Sequence, residues 1–110
     1  MGAEVGRFVL LLGLEVRDEE GYARYRERMQ PVLAAFGGAF GCDVRVSEVL
    51  LGAPPSVNRL FTLSFPDRRR HEAFFADVGY QRVRAEHFVP AVGEVAVLGE
   101  MQELPRSAGS

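Results

Sequence analysis

The stretch RFVLLLGLEV, residues 7–16, is the part of the chain that decides the fold. It is apolar at both odd and even positions, so both faces of a strand built from it need cover from water. A strand of this kind belongs in the interior of a sheet. We therefore expect residues 7–16 to form a central strand around which the other elements are arranged.

The residues after this strand change to helical periodicity. Asp18 is the expected N-cap, with Glu19 and Glu20 in the first turn, where the helix dipole favours negative charge. The pair Gly37–Gly38 predicts where the helix ends. Between these limits, apolar and aromatic residues recur at helical spacing: Tyr22, Tyr25, Met29, Val32, Leu33 and Phe36.

Three more strands and a second helix follow. We expect strands over residues 41–51, 59–65 and 92–98, and a helix that begins after the cap Asp67, followed by one or two further turns that end at Pro90. The order strand, helix, strand, strand, helix, strand is that of the ferredoxin-like α+β fold, the split βαβ plan. Right-handed crossovers then place both helices on one face of a four-stranded antiparallel sheet.

Length and composition are those of one globular domain. The chain has 110 residues, of which 47% are hydrophobic and 25% charged. We assign residues 1–100 to a single domain and residues 101–110 to a flexible C-terminal tail. Cys42 is the single cysteine, and at the start of a strand we expect it to be a buried, inert thiol in a cytoplasmic protein.

Charge and hydropathy limit the classes of partner. The net charge is −2, which does not attract phosphate backbones, so we expect no nucleic-acid partner. The apolar run of the first strand is too short to cross a bilayer, so we expect no membrane partner either.

The face of the sheet without helices predicts a second copy of the chain. We expect Val9 and Leu11 to point to that face, where they would be exposed to solvent in a monomer. Burial of each aliphatic side chain is worth roughly 1.5–3 kcal/mol, and a sheet-sized apolar patch marks an interface. We predict a homodimer whose sheets pack face to face.

Four short motifs carry a resemblance to a known family: DEEGYARYR (18–26), PVLAAFGGAF (31–40), FPD (65–67) and YQRVR (80–84). Through the order and spacing of these motifs, the chain resembles the dimeric α/β-barrel superfamily. Within that superfamily it most resembles the uncharacterised domain family numbered 1330. The resemblance implies a ferredoxin-like protomer, a homodimer with a barrel between the two sheets, and no established activity.

The same resemblance suggests activities by analogy. Members of the superfamily include cofactor-independent monooxygenases that act on aromatic polyketides, haem-degrading monooxygenases, muconolactone isomerases and stress-response proteins. The haem-degrading branch has a Trp in the second helix, followed later by Ala-His. In this chain Phe75 stands where that Trp is expected, and His87 follows Glu86. We therefore predict no cofactor, and haem degradation remains open only as a third, less favoured activity.

Two histidines are the candidate catalytic residues. His71 shares an apolar stripe with Phe74 and Phe75, and His87 follows Tyr80 at helical spacing. Two roles remain open for each histidine: packing in the core, or general-base catalysis. Because their spacing does not match a metal-binding pair, we predict no metal site.

Five further residues are candidates for ligand binding. Tyr22, Tyr80 and Arg84 lie on the helices and either fill the core or line an aromatic pocket for a flat apolar ligand. Glu48 and Arg59 are polar residues on otherwise apolar strands. They are either exposed at an edge or turned into a cavity, where Arg59 would hold a carboxylate or an enolate.

The run Arg68–Arg70 opens the second helix, where the dipole disfavours positive charge. Three interpretations remain open: a solvated or salt-bridged face, an ion-pair patch between subunits, and a site for an anionic ligand.

The sequence as a whole predicts a homodimer that binds a small organic molecule. It leaves open a monooxygenase- or isomerase-like enzyme and a non-catalytic structural or sensory module.

Overall fold

The predicted fold class is confirmed. The computed structural model describes residues 6–103. Its four strands form one antiparallel sheet in the order β2-β3-β1-β4, which is the ferredoxin-like arrangement. The elements follow along the chain as β1 (Phe8–Val16), α1 (Glu19–Ala35), β2 (Ala39–Arg45), β3 (Arg59–Phe65), α2 (Arg68–Ala76), α3 (Val78–Val83), a π-helical turn (Arg84–Phe88), α4 (Val89–Ala91) and β4 (Val92–Gln102).

Strand β1 is central, as its sequence requires, and pairs with β3 on one side and β4 on the other. Its odd-numbered residues Val9 and Leu11 lie on the face away from the helices and are half-exposed. Its even-numbered residues are buried with the helices in the hydrophobic core: Phe8, Leu10, Leu12, Leu14 and Val16.

Both predicted ends of α1 are confirmed. The Asp18 carboxylate accepts a hydrogen bond from the backbone N–H of Gly21 at 3.1 Å. At the other end Gly37 adopts a φ of 75°, a left-handed conformation that favours glycine. The N–H groups of Gly37 and Gly38 then bond to the carbonyls of Ala34 and Leu33 at 2.9 Å, which is the Schellman ending of a helix.

Strand β2 is shorter than the sequence suggested, because it ends at Arg45 rather than at residue 51. Arg45 pairs with Arg59, the first residue of β3, so no strand partner remains for the residues that follow. Glu48 consequently lies exposed in the β2–β3 connection and not on a strand. Cys42 is exposed on β2, an edge strand, so the prediction of a buried thiol is wrong.

Asn58 joins the end of this connection to β1. Its side-chain oxygen accepts from the Val16 N–H at 2.8 Å, and its amide nitrogen donates to the Val16 carbonyl at 3.0 Å. Val57 is buried on the uncovered face of the sheet, where a Cβ on Gly13 would meet the Val57 side chain at 3.1 Å. The connection therefore returns across part of the face that the helices leave open.

The C-terminal half departs most from expectation. A continuous helical path runs over residues 78–91 and passes through the π-helical turn, in which the Val89 N–H bonds to the Arg84 carbonyl. Strand β4 continues to Gln102, beyond its predicted end at residue 98. The rest of the predicted tail, residues 104–110, lies outside the described residues. No helix within residues 6–103 is long and apolar enough to cross a membrane.

Candidate functional site

A cavity of about 310 Å³ lies between the helices and the sheet. Its floor is apolar and comes from β1 and β3, through Leu10, Leu12 and Leu63. Val95 and Val97 of β4 line the cavity and are 44% and 61% exposed, which marks the side that opens to solvent. We call this space the helix–sheet cavity. Apolar cavities with a few converging polar groups are typical of small-molecule sites.

Five polar side chains line the helix–sheet cavity, and each comes from a different element. They are Tyr25 of α1, His71 of α2, Tyr80 of α3, Arg84 of the π-helical turn and Glu100 of β4. The fold thus brings polar groups from three helices, the π-helical turn and one strand to an otherwise apolar space.

The His71 ring is packed among aromatic rings. Its centroid lies 4.9 Å from that of Phe8, 5.2 Å from Phe75 and 5.6 Å from Phe65. Its Nδ1 atom is buried and has no hydrogen-bond partner among residues 6–103. Burial lowers the pKa of His71, because an apolar environment disfavours the imidazolium ion. The ring is therefore neutral at pH 7 and keeps one nitrogen able to accept a proton.

Tyr25 and Tyr80 form a buried pair. Their hydroxyl oxygens lie 2.9 Å apart and share one hydrogen bond. Burial raises the pKa of both phenols, because the phenolate ion loses its hydration. Both hydroxyls are therefore protonated across the physiological range and act as neutral donors.

Arg84 is the cation of this group. It is half-buried, and its guanidinium carbon lies 5.0 Å from the centre of the Phe88 ring. Within the described part of the chain it makes no ion pair with a carboxylate. Its charge is close enough to Tyr80 to oppose, in part, the rise in the pKa of that phenol.

Glu100 is a cavity residue that the sequence analysis missed, because the fourth strand was expected to end before it. The register of β4 shifts by one residue between Val97, which pairs with Leu12, and Gly99, which pairs with Leu11, so alternation in the sequence does not show that Glu100 and Val97 share a face. Glu100 forms an ion pair with Arg68 at 3.3 Å, and the Arg68 guanidinium also lies 4.6 Å from the centre of the Phe8 ring. The first arginine of the run 68–70 is thus salt-bridged across the wall of the cavity.

Arg59 and Tyr22 lie elsewhere, in a shallow surface groove between α1 and the β2–β3 pair. Arg59 Nε donates to Asp43 Oδ1 at 2.8 Å, and Arg26 donates to the other oxygen at 3.1 Å. The Arg59 guanidinium lowers the pKa of Asp43, with Arg26 acting in the same direction. Tyr22 accepts from Arg26 at 3.1 Å. Arg59 is therefore already paired and does not face the helix–sheet cavity.

The two remaining candidates are also outside the cavity. His87 Nε2 lies 3.7 Å from the Glu86 carboxylate on the π-helical turn. Glu48 is exposed in the β2–β3 connection. No group of three or more His, Cys, Asp or Glu side chains within residues 6–103 is placed to hold a metal ion. The structure thus brings together His71, Tyr80 and Arg84, and separates them from Arg59, Tyr22, His87 and Glu48.

The family of the chain follows from its match to a family model. The model for a domain of unknown function, DUF1330, matches residues 9–100. The chain belongs to this family. The resemblance read from the sequence motifs is confirmed by this match. A comparison with curated proteins gives no match.

Solved structures with the same fold include two bacterial proteins. A protein of unknown function from Rhodopseudomonas palustris is similar at 19% identity with a TM-score of 0.74, over 92% of this chain and 85% of that chain. A dabb family protein with a ferredoxin-like fold, from Mesorhizobium loti, is similar at 14% identity with a TM-score of 0.62, over 93% of this chain and 99% of that chain. At these low sequence identities, the likeness shows that this chain and the two proteins share a fold.

Proposed function

We propose that this protein binds a small organic molecule in the helix–sheet cavity. The observation that carries the proposal is an apolar space of about 310 Å³, edged by His71, Tyr80 and Arg84. Its volume is near the lower end of ligand pockets, which span about 300–1,000 Å³, so the ligand is small.

The polar groups of the cavity suit proton transfer from an acidic carbon. His71 lines the cavity, and burial lowers its pKa, so that it is neutral at pH 7 as a general base requires. Arg84 and the hydroxyl of Tyr80 are donors that stabilise negative charge developing on a substrate oxygen. This chemistry is shared by cofactor-independent monooxygenases and isomerases.

A non-catalytic dimer is the second candidate. The observation that favours it is the contact of the His71 ring with the rings of Phe8, Phe65 and Phe75, at centroid distances typical of packed aromatic pairs. In that case the cavity would serve sensing or assembly, and His71 would be a packing residue.

The uncovered face of the sheet supports a homodimer. Val9, Leu11 and Leu60 are half-exposed there, and Met101, which pairs with Val9, is 44% exposed. Full burial of an aliphatic side chain is worth roughly 1.5–3 kcal/mol. Because these side chains are already partly buried in the protomer, covering the rest of each would contribute part of that value. In the proposed dimer the two uncovered faces pack against each other, and each protomer keeps its own helix–sheet cavity.

Ligand binding is tested with a neutral aromatic probe and two matched tryptophan variants. Val97 lines the opening of the cavity, so Val97→Trp fills that opening, whereas Val78 is 73% exposed on α3 and outside the cavity. We expect 2-naphthamide to bind the unaltered protein, Val97→Trp to weaken it about tenfold, equivalent to about 1.4 kcal/mol, and Val78→Trp to leave it unchanged. Equal binding by Val97→Trp, or no binding of either 2-naphthamide or 2-naphthoic acid, would contradict the proposal.

Catalysis is distinguished from binding by deuterium exchange. The probe is 2-tetralone, a ketone with acidic protons beside its carbonyl, followed by NMR in heavy water. A general base accelerates this exchange, and we expect the acceleration to be lost in His71→Gln and kept in His87→Gln. Binding without any acceleration by the unaltered protein favours the non-catalytic dimer.

A further inference from the structure

We propose that the ligand of the helix–sheet cavity is a carboxylic acid whose carboxylate binds Arg84, an inference that rests on the proposed function. The acid is small and otherwise apolar, in keeping with the floor of leucine side chains. Three features of the cavity point to an acid: an arginine without a carboxylate partner among residues 6–103, a pair of hydroxyls with one hydrogen to spare, and a glutamate that is already paired with Arg68.

Arg84 differs from the other arginines close to the two sites. Arg68 pairs with Glu100 at 3.3 Å, and Arg26 and Arg59 both pair with Asp43. Arg84 is half-buried in the cavity wall and has no such carboxylate among residues 6–103. Partial burial of a cation without a counterion is unfavourable, so a ligand carboxylate at this position relieves a cost already present in the fold. The planar guanidinium is also suited to hold a carboxylate through two hydrogen bonds.

The tyrosine pair beside Arg84 supplies a further donor. Two protonated hydroxyls carry two hydrogens, and the bond of 2.9 Å between Tyr25 and Tyr80 uses one of them. The second hydrogen is available to an acceptor in the cavity. A carboxylate oxygen on Arg84 is such an acceptor, and it would complete the hydrogen bonding of the pair.

Glu100 is the group in the cavity that would repel an acid, and its ion pair with Arg68 at 3.3 Å limits that effect. We therefore place the carboxylate at Arg84, which has no such pair among residues 6–103, with the apolar skeleton extending over the leucine floor.

The anionic character of the ligand is tested with acid–amide pairs. The probes are benzoic, 2-naphthoic and decanoic acid with their primary amides, which have nearly the same shape and differ in charge at neutral pH. Affinities are measured by titration calorimetry for the unaltered protein, Arg84→Gln and Arg82→Gln. Arg82 is exposed on α3 two residues away, so the control variant changes the net charge equally without altering the cavity.

We expect the unaltered protein to bind at least one acid about tenfold more tightly than its amide, as hydrogen bonds to charged groups imply. In Arg84→Gln the acid should bind no better than the amide. Arg82→Gln should keep the full preference. If Arg84→Gln does not fold, Arg84→Lys takes its place as the test variant. Lysine keeps the charge but lacks the planar guanidinium, so Arg84→Lys should prefer the acid over its amide less strongly than the unaltered protein does.

The possible outcomes separate the inference from the function on which it rests. If acids and amides bind the unaltered protein equally well, or if Arg84→Gln keeps the preference, the ligand is not an acid held by Arg84, although the cavity still binds. If neither acids nor amides bind, both the cavity function and the inference are overturned.

Discussion

The hydroxyls of Tyr25 and Tyr80 lie 2.9 Å apart and join α1 to α3 inside the protein. The Tyr25 ring also lies 4.9 Å from the ring of Phe88 on the π-helical turn. The pair therefore holds the two C-terminal helical segments against α1 and fixes one wall of the helix–sheet cavity. Both hydroxyls are buried, and each is a hydrogen-bond partner of the other.

Removing one hydroxyl of this pair should destabilise the protein. We expect Tyr25→Phe to lower the free energy of unfolding by about 1–2 kcal/mol, because the Tyr80 hydroxyl loses its partner in a buried position. The double variant Tyr25→Phe/Tyr80→Phe should be no less stable than the single variant, since no unpaired hydroxyl remains. Urea unfolding of the two single variants and the double variant measures this coupling, and strictly additive losses would contradict it.

The ion pair of Asp43 and Arg59 should stabilise the fold at neutral pH. Asp43 accepts from both Arg59 and Arg26, and its side chain is 26% exposed. Solvent screens a pair with this exposure, so we expect Asp43→Asn to cost about 1 kcal/mol in the free energy of unfolding at pH 7. Urea unfolding at low and high salt checks the electrostatic origin, because the loss should shrink as salt increases.

The same carboxylate should contribute to acid sensitivity. The pKa of Asp43 in the folded protein is lower than its ordinary value of 3.8, because Arg59 and then Arg26 favour the charged form. As the pH falls, the unfolded chain therefore binds the proton before the folded protein does. The stabilisation by Asp43 is full above its ordinary pKa and is lost as the pH falls through its pKa in the folded protein. We expect the difference between unaltered protein and Asp43→Asn to disappear at the acidic end of a pH series of unfolding measurements.

His71 should make the protein less stable in mild acid. Burial lowers its pKa below the ordinary 6.5, so the folded protein takes up the proton less readily than the unfolded chain. The stability is full above pH 6.5 and falls as the pH drops from there through the folded pKa. His71→Phe fits a position surrounded by phenylalanine rings and should remove this part of the pH dependence, whereas His87→Gln should keep it. An NMR titration of the His71 ring in which the pKa is 6.5 or higher would contradict the assignment.

The dimer prediction depends on the uncovered face of the sheet. Leu11 lies at its centre and is half-exposed, whereas Ala34 is exposed on α1. We expect Leu11→Arg to convert the protein from dimer to monomer, because a desolvated guanidinium in each of the two packed faces is unfavourable. Ala34→Arg introduces the same side chain and should leave the dimer intact. Light scattering after size-exclusion chromatography measures the mass, and a dimeric Leu11→Arg protein would contradict this interface.

The architecture was predictable because the local signals agree with the tertiary structure. Both faces of residues 7–16 are apolar, and this alone places β1 at the centre of the sheet. The caps Asp18 and Asp67 mark where α1 and α2 begin. The end of β2 was not predictable, since residues 46–49 keep strand periodicity but have no strand partner once Arg45 pairs with Arg59. Local pattern cannot reveal where a partner strand begins.

The candidate site was predictable in part, for a related reason. Helical spacing placed His71, Tyr80, Arg84 and His87 on apolar stripes. The first three line the cavity, whereas His87 lies on the π-helical turn outside it. Arg59 also belongs to an apolar strand, but its place at the first residue of β3 brings it beside Asp43 rather than over the leucine floor. The direction of a side chain follows from periodicity, whereas its position along the sheet requires the strand register.

The floor of the helix–sheet cavity consists of the same leucines that form the hydrophobic core. For the proposed ligand site, divergence of ligand preference is therefore constrained, because replacing Leu10 or Leu12 alters folding stability together with the shape of the cavity. Half-exposed and exposed wall residues, such as Arg84 and Val97, are free of that constraint. In evolution, new specificities are expected to arise first on the wall formed by the π-helical turn and β4, while the floor stays fixed.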